Sequence, residues 1–411
     1  MRCSSIGELC DAGGASLQTG PFGSQLHASD YVEDGVPVVP TEALVDGRID
    51  HELLPMITRG KARELSRHEL SAGDIVFARR GVQATGRTSR IGRAEDGFIG
   101  GTGIIRLRIH AERAPVTPDF MAWVLRSPDS VAWLKHHAIG ATMPNLNEGI
   151  IRTVPVPLLP IREQHRIAGI LSAFDEKIEL NSRMADNLEA VARATFRSTF
   201  VSGQGGSADL ADPPDSPVPV GWRRARLGDI APTLLGGTPS RAEPRFWGGD
   251  IPWLNSGEAN EFRVIEASDY ITEAGLSQSA TKLVPPRTTL VAITGATLGQ
   301  ITITEIAACI NQSLVAILGT DDLPTEYLYF WLQERIGDLV ASQTGAAQQH
   351  VNKNDVNALW IMIPPRPEIR DYLGTVRPMF DRIASAVSES LTLAATRDAL
   401  LPRLLSGQLT P

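Results

Sequence analysis

The stretch GATMPNLN (140–147) is followed by the apolar run IIRTVPVPLLP (150–160) and then by a long helical pattern from Arg162 to about Phe200. Roughly 205 residues later, GAAQQHVN (345–352) is followed by VNALWIMIPP (356–365) and a second helical pattern. The two patterns end alike, in Ser202-Gly203-Gln204 and Ser406-Gly407-Gln408. Upstream, FMAWVL (120–125) parallels YLYFWL (327–332), and GDIVFARRG (73–81) parallels TTLVAITG (288–295) more loosely. Matches this numerous, in one order, mark a duplication. The spacing is too long for a solenoid and suits a doubled domain pair.

The chain therefore divides into a globular unit over 1–158, a long helix over 159–204, a linker over 205–220, a second unit over 221–364 and a second long helix over 365–411. The linker GGSADLADPPDSPVPV is rich in Gly, Pro and Asp, as solvated connectors are. Strand-like runs such as IVFARRG, TGIIRLRI, TLVAIT and QITIT are rich in β-branched residues. Helix-like runs cover 118–138 and 324–343, each with a proline near its start. The expected fold is α+β: two similar units with curved, mostly antiparallel sheets, separated by two long antiparallel coiled-coil helices about a pseudo-two-fold axis.

The helices carry the period of a coiled-coil seam. In the first, apolar or small residues recur at Ile167, Leu171, Phe174, Ile178, Ala185, Leu188 and Ala192, with Asn181 in the seam. In the second, Ile369, Leu373, Val376, Phe380, Ile383 and Val387 follow the same rule. Two narrow seams predict that the helices pair with each other. A strut of this kind would span about 50–60 Å, some one and a half turns of B-DNA. Pro378 predicts a bend or a late start in the second helix.

The 411 residues, 42% of them hydrophobic, suffice for real cores. Three cysteines make neither a disulfide framework nor a zinc spacing, so a reducing cytoplasm is the expected setting. No apolar run approaches a membrane span, and the opening MRCSSIGELCD predicts no secretory signal. The net charge of −8 is awkward for a nucleic-acid binder, but DNA responds to local patches. Catalytic signatures are missing. DPPD (212–215) lies in the linker without a cofactor loop, and GATLGQ (295–300) lacks the ending of a phosphate-binding loop. His136 and His137, adjacent on a helix, point apart and suit the surface. Asp175-Glu176-Lys177 reads as a solvated helix face, and Phe22, Trp247 and Trp253 as core.

Read together, these residues resemble the specificity subunits of type I restriction–modification systems. The resemblance covers nearly the whole chain. In the first half it rests on TGPFGS (19–24), Asp30-Tyr31 and Gly35-Val36-Pro37. In the second it rests on Gly221-Trp222, LGDI (227–230), GGTPS (236–240), FWGG (246–249), IPW (251–253), TGATLG (294–299) and Asn311-Gln312. Pro160 with Arg162-Glu163-Gln164 and Ile167 resembles the start of the central helix. The second helix departs from it, with PRPEI (365–369) in place of the Glu-Gln pair.

The resemblance implies a chain with no catalytic activity, metal or cofactor of its own. Each unit would read half of a split double-stranded DNA target, and the helices would set the gap. The helices would also dock two methyltransferase subunits that use S-adenosylmethionine; restriction subunits using ATP and magnesium would complete the complex. Readout needs Arg, Lys, Asn, Gln, Ser or Thr at the groove. The strongest local signal is Arg79, Arg80, Gln83, Arg87, Arg90 and Arg93, an acid-free stretch with glycines that let backbone approach phosphate. Its second-half equivalent is uncharged and offers Thr294, Thr297 and Gln300. Asn145 and Asn147 in the first half, and Ser256, Gln348, Gln349, Asn352 and Lys353 in the second, complete the expected contacts. All of these polar residues also suit ordinary turns. Two other classes are a self-contained methyltransferase or nuclease, which needs a site not found here, and a coiled-coil scaffold without a DNA role.

Overall fold

In a computed structural model, residues 2–81, 83–140, 142–201, 218–341 and 351–409 are described. Most of the linker, the Ser202-Gly203-Gln204 ending, and Gln348 and Gln349 lie outside them. The chain forms two compact units, Met1–Lys177 with Leu393–Pro411, and Ile178–Thr392. Each unit thus owns part of both long helices.

The duplication in the sequence is a duplication of sheets. The first unit has strands β1 (Ala15–Thr19), β2 (Ile75–Ala78), β3 (Thr88–Arg90) and β4 (Ile104–Ile109) in the order β1-β4-β2-β3, all antiparallel. The second has β5 (Thr233–Leu235), β6 (Thr288–Ala292), β7 (Ile301–Thr304) and β8 (Leu314–Ile317) in the order β5-β8-β6-β7. The central β2, β6 and β8 are buried at every position; β2 and β8 are apolar throughout, and in β6 the buried Thr288 and Thr289 precede an apolar run. A second small sheet in each unit contains one parallel pair, Val36–Val39 with Ile99–Gly100 and Trp247–Leu254 with Ala308–Ile310. A two-stranded ribbon ties the start of each unit to the strand before its long helix: Arg2–Ser5 with Pro155–Leu158, and Arg223–Arg226 with Trp360–Ile363.

The run 118–138 is two helices, α1 (Pro118–Arg126) and α2 (Pro128–His137). Pro128 holds Ser127 extended (ψ 147°), and the Ser127 hydroxyl caps α2. The long helices are α3 (Ile161–Phe196) and, after α4 (Thr325–Ala341), α5 (Arg366–Leu405). Helix α5 starts at Arg366, not late, and continues through Pro378, which lies on its exposed side.

Within each unit the two long helices run antiparallel. In the first, Ile167, Ala168 and Leu171 share an apolar cluster with Leu401, Leu404, Phe120 and Trp123. In the second, Ala192, Phe196 and Phe200 meet Ile369, Tyr372, Val376 and Phe380. Asn181 is buried and donates to Glu389 Oε2 (2.9 Å). The seam departs from the expected residues. Phe174, Ile178, Leu188, Leu373 and Val387 are only half-buried, whereas Asp175, Glu189, Tyr372 and Ala386 are buried. The helices pack against the globular units as well as each other, so polar positions facing both are drawn inside.

Asp175 is therefore not on a solvated face. Its carboxylate takes Arg126 (2.6 Å) and Arg397 (2.5 Å), tying α3 to α1 and α5. In the second unit Glu189 ties α3 to α4, accepting from the Tyr329 hydroxyl (3.0 Å) beside the buried Arg263 (3.9 Å). Gln164, fully buried, latches the start of α3: its Oε1 accepts from the Thr117 amide (2.8 Å) and its Nε2 donates to the carbonyls of Pro115 (2.8 Å) and Leu159 (2.9 Å). In PRPEI the equivalent position is Ile369, buried in the apolar cluster of the second unit. The departure from the Glu-Gln pair thus exchanges a polar latch for an apolar one.

Candidate nucleic-acid interface

The two parallels GDIVFARRG and TTLVAITG fold into the same place. Each is the first strand of a hairpin, β2–β3 or β6–β7, whose tip is bounded by glycines of positive φ: Gly81 (114°) and Gly86 (86°), or Gly295 (73°) and Gly299 (86°). In both, the second glycine lies against a helix. A Cβ on Gly86 would meet Leu134 of α2 at 3.5 Å, and one on Gly299 would meet Val340 of α4 at 3.3 Å.

The first tip carries Arg79, Arg80 and Arg87, while Arg90, opposite Ile75, and Arg93 lie at the base of the hairpin. Arg79 is half-buried and donates from Nε to Asn145 Oδ1 (3.1 Å), and Arg80 donates to Thr102 Oγ1 (3.2 Å). Arg90 is neutralised by Asp119 (2.5 Å). Gln83, Arg87 and Arg93 are exposed, and their side chains make no hydrogen bond or ion pair among the described residues. Beside Arg87 opens a cavity of about 520 Å³ lined also by Gln83, Trp123, Arg126, Lys135 and Arg397. Asp46 and Asp398 line it too, so bases outnumber acids. Asp175 already engages Arg126 and Arg397. Arg87 and Lys135 are the cations left to attract an anion from outside. Lys135 was missed in sequence because it lies far along the chain, on α2; only its closeness to Gly86 reveals it.

The second tip is neutral. Thr294 and Thr297 are half-buried, with Thr297 Oγ1 donating to the Thr294 carbonyl (3.4 Å), and Gln300 is exposed. Ser256 opens a short 3-10 segment nearby (Ser256–Asn260) and is half-buried. Asn147 and Asn352 cap short helices, accepting from Ile150 N (2.8 Å) and Asn354 N (2.8 Å) respectively. Lys353, in the first turn after Asn352, is half-buried.

Of the aromatics expected in the core, Trp253 is buried, with its Nε1 donating to the Gly237 carbonyl (3.2 Å), and Trp247 is half-buried under the Arg241 guanidinium at 3.4 Å. Phe22 is not core. It is 66% exposed, because it sits in the turn after β1, where the backbone closes on Gln25 instead of a strand. His136 and His137 are on the surface, His137 stacked on Trp133. Among the described residues no cluster of His, Cys, Asp or Glu could hold a metal, and no helix is long and apolar enough to cross a membrane.

Comparison with known proteins agrees with the duplicated architecture. The sequence model of the type I restriction modification DNA specificity domain matches twice, over residues 28–190 and 219–375. The type I restriction enzyme MjaIX specificity subunit of Methanocaldococcus jannaschii is 26% identical over 302 residues, 72% of this chain and 69% of that one. The HindI specificity subunit of Haemophilus influenzae is 24% identical over 360 residues, 72% of this chain and 78% of that one. The crystal structure of a type I restriction–modification S subunit from M. genitalium shares the fold, with a TM-score of 0.61 at 15% identity over 98% of this chain and 95% of that one. The chain belongs to the type I restriction modification DNA specificity domain family and carries that domain twice, as a non-catalytic specificity subunit.

Proposed function

We propose that this subunit reads a split double-stranded DNA target, with 1–158 taking one half-site and 221–364 the other. The hairpins carry the contacts: Arg79, Arg80, Gln83 and Arg87 at the tip and Arg93 at the base in the first unit, and Thr294, Thr297 and Gln300 at the tip in the second. The long helices, 159–204 and 365–411, set the gap and dock two methyltransferase subunits, which bind S-adenosylmethionine. Restriction subunits using ATP and magnesium complete a cytoplasmic complex, and this chain aims methylation and cleavage that its partners perform.

The observation that carries this reading is the repeated sheet order with a glycine-bounded tip at the same hairpin in each unit. A fixed scaffold with a variable tip suits sequence readout, since backbone contacts position a protein on DNA and tip side chains specify bases. Methylome sequencing of the host with and without the gene tests it. A split adenine motif should appear and vanish with the gene; no change in any motif would refute the assignment. Removing seven residues, two turns of α3, should change the permitted gap, and an unchanged gap would refute its role as a spacer.

A further inference from the structure

We propose that Ile139 and Met143 of the first unit form an apolar prong that presses against base pairs beside the arginine hairpin. The proposal rests on reading that hairpin as a DNA surface. Ile139 is 62% exposed and Met143 64%. The chain is tied down at Ile139 and from Pro144 to Leu146. Ile139 and Asn145 exchange both backbone hydrogen bonds (2.9 Å each), and the Arg79 carbonyl accepts from the Leu146 amide (2.7 Å). The Pro144 carbonyl accepts from Thr85 Oγ1 (3.0 Å), and Asn145 Oδ1 accepts from Arg79 Nε (3.1 Å). Gly140 takes φ 103°, and a Cβ there would meet the Met143 carbonyl at 2.8 Å, so the chain turns here only as glycine. The prong is fastened to the arginine tip on both sides.

Its surroundings indicate what it meets. Neither 75–94 nor 130–147 contains an acid. Arg80 lies opposite Asn145 in a backbone bridge, and Gly86 rests against Leu134 and Lys135, so Arg80, Arg87 and Lys135 stand at this end of the hairpin. Cations around a rigid apolar tip match duplex DNA, with phosphates outside and thymine methyls and base steps within the grooves. A rigid prong also avoids the ordering cost that weakens flexible contacts.

The test uses the assembled complex with its methyltransferase subunits and a duplex bearing the motif found by methylome sequencing, in competition with a scrambled duplex. The double variant Ile139→Ser with Met143→Ser should lower the preference for the target at least tenfold. Binding to the scrambled duplex and its salt dependence should stay unchanged. Ile139→Val with Met143→Leu should restore most of the preference. An unchanged preference in the serine variant, while Arg87→Ala weakens binding to both duplexes, overturns the prong and spares the hairpin. If Arg87→Ala is silent as well, both readings fall. Loss of the methyltransferase subunits from the serine variant on size exclusion would make this a protein-docking surface and also overturn the proposal.

Discussion

The hairpin β2–β3 of the first unit and β6–β7 of the second have the same place in the same sheet order, the same pair of positive-φ glycines and the same rest against a helix, yet one tip is crowded with arginine and the other has no charge. The difference teaches that the strands and the tips answer to separate demands. Strands β2 and β6 are wholly buried, which confines them to apolar residues and, in β6, the buried Thr288 and Thr289. The tips bear little of the packing and are free to differ, as two surfaces that read different sequences must. The same contrast recurs at the long helices, where Gln164 and Ile369 do one job with opposite chemistry.

The largest expected effects test whether the units are independently held. Asp175→Ala leaves Arg126 without a carboxylate and Arg397 with Asp398 alone, both arginines being largely buried, and should cost the first unit about 3 kcal/mol. Glu189→Ala takes the acceptor from the buried Tyr329 hydroxyl and leaves Arg263 with Glu305 alone (3.7 Å), and should destabilise the second. Hydrogen exchange resolved by unit should show protection lost on one side only in each variant. Loss in both units from either substitution would mean that α3 couples them into one cooperative block.

A smaller effect is expected from exchanging the latches. Gln164→Leu strands the Thr117 amide and the Pro115 and Leu159 carbonyls, at about 2 kcal/mol. Ile369→Gln places an amide in the apolar cluster of the second unit and should destabilise that unit. Thermal unfolding of each variant measures this, and a tolerated Ile369→Gln would show that the two latches are interchangeable. At the tips, Arg87→Ala should weaken DNA binding by the complex by about 1–2 kcal/mol and flatten the slope of log K against log salt by about one unit. Thr297→Ala should cost less and leave the slope alone. Equal salt slopes for the two variants would erase the distinction between the tips.

Much of this was legible in the sequence because duplication multiplies weak signals. The paired runs, the seam period and the arginine cluster each repeat or stand out. What was hidden depends on chain crossings that no local pattern records. Asp175 looked solvated because Arg126 and Arg397 approach it from distant segments. Phe22 looked like core because an aromatic usually is, and Lys135 was unremarkable until Gly86 brought the hairpin against α2. The seam came close, but a helix facing both a partner helix and a globular unit buries a wider stripe than a two-stranded coil does.

Acid provides the finest test of the comparison, because the two units should respond in opposite directions. Every histidine except His350 lies within residues 1–177. His68 is buried near Arg67 and Arg106, and burial first, then those charges, hold its imidazole below the ordinary value of 6.5. The unfolded chain therefore binds a proton that the folded one resists, so the first unit keeps its stability above pH 6.5 and loses some as pH falls below it. Glu305 of the second unit is the reverse case. Burial raises it above the ordinary 4.5, against the opposing pull of Arg287 and Arg263. Between 4.5 and that raised value the folded unit holds the extra proton, so acidification stabilises it there and rising pH removes the gain. Exchange protection followed by unit from pH 7.5 downward should show the first unit weakening while the second holds or strengthens, and His68→Gln should flatten the first curve alone. Parallel curves would show that the units share one titration, and with it one folding equilibrium.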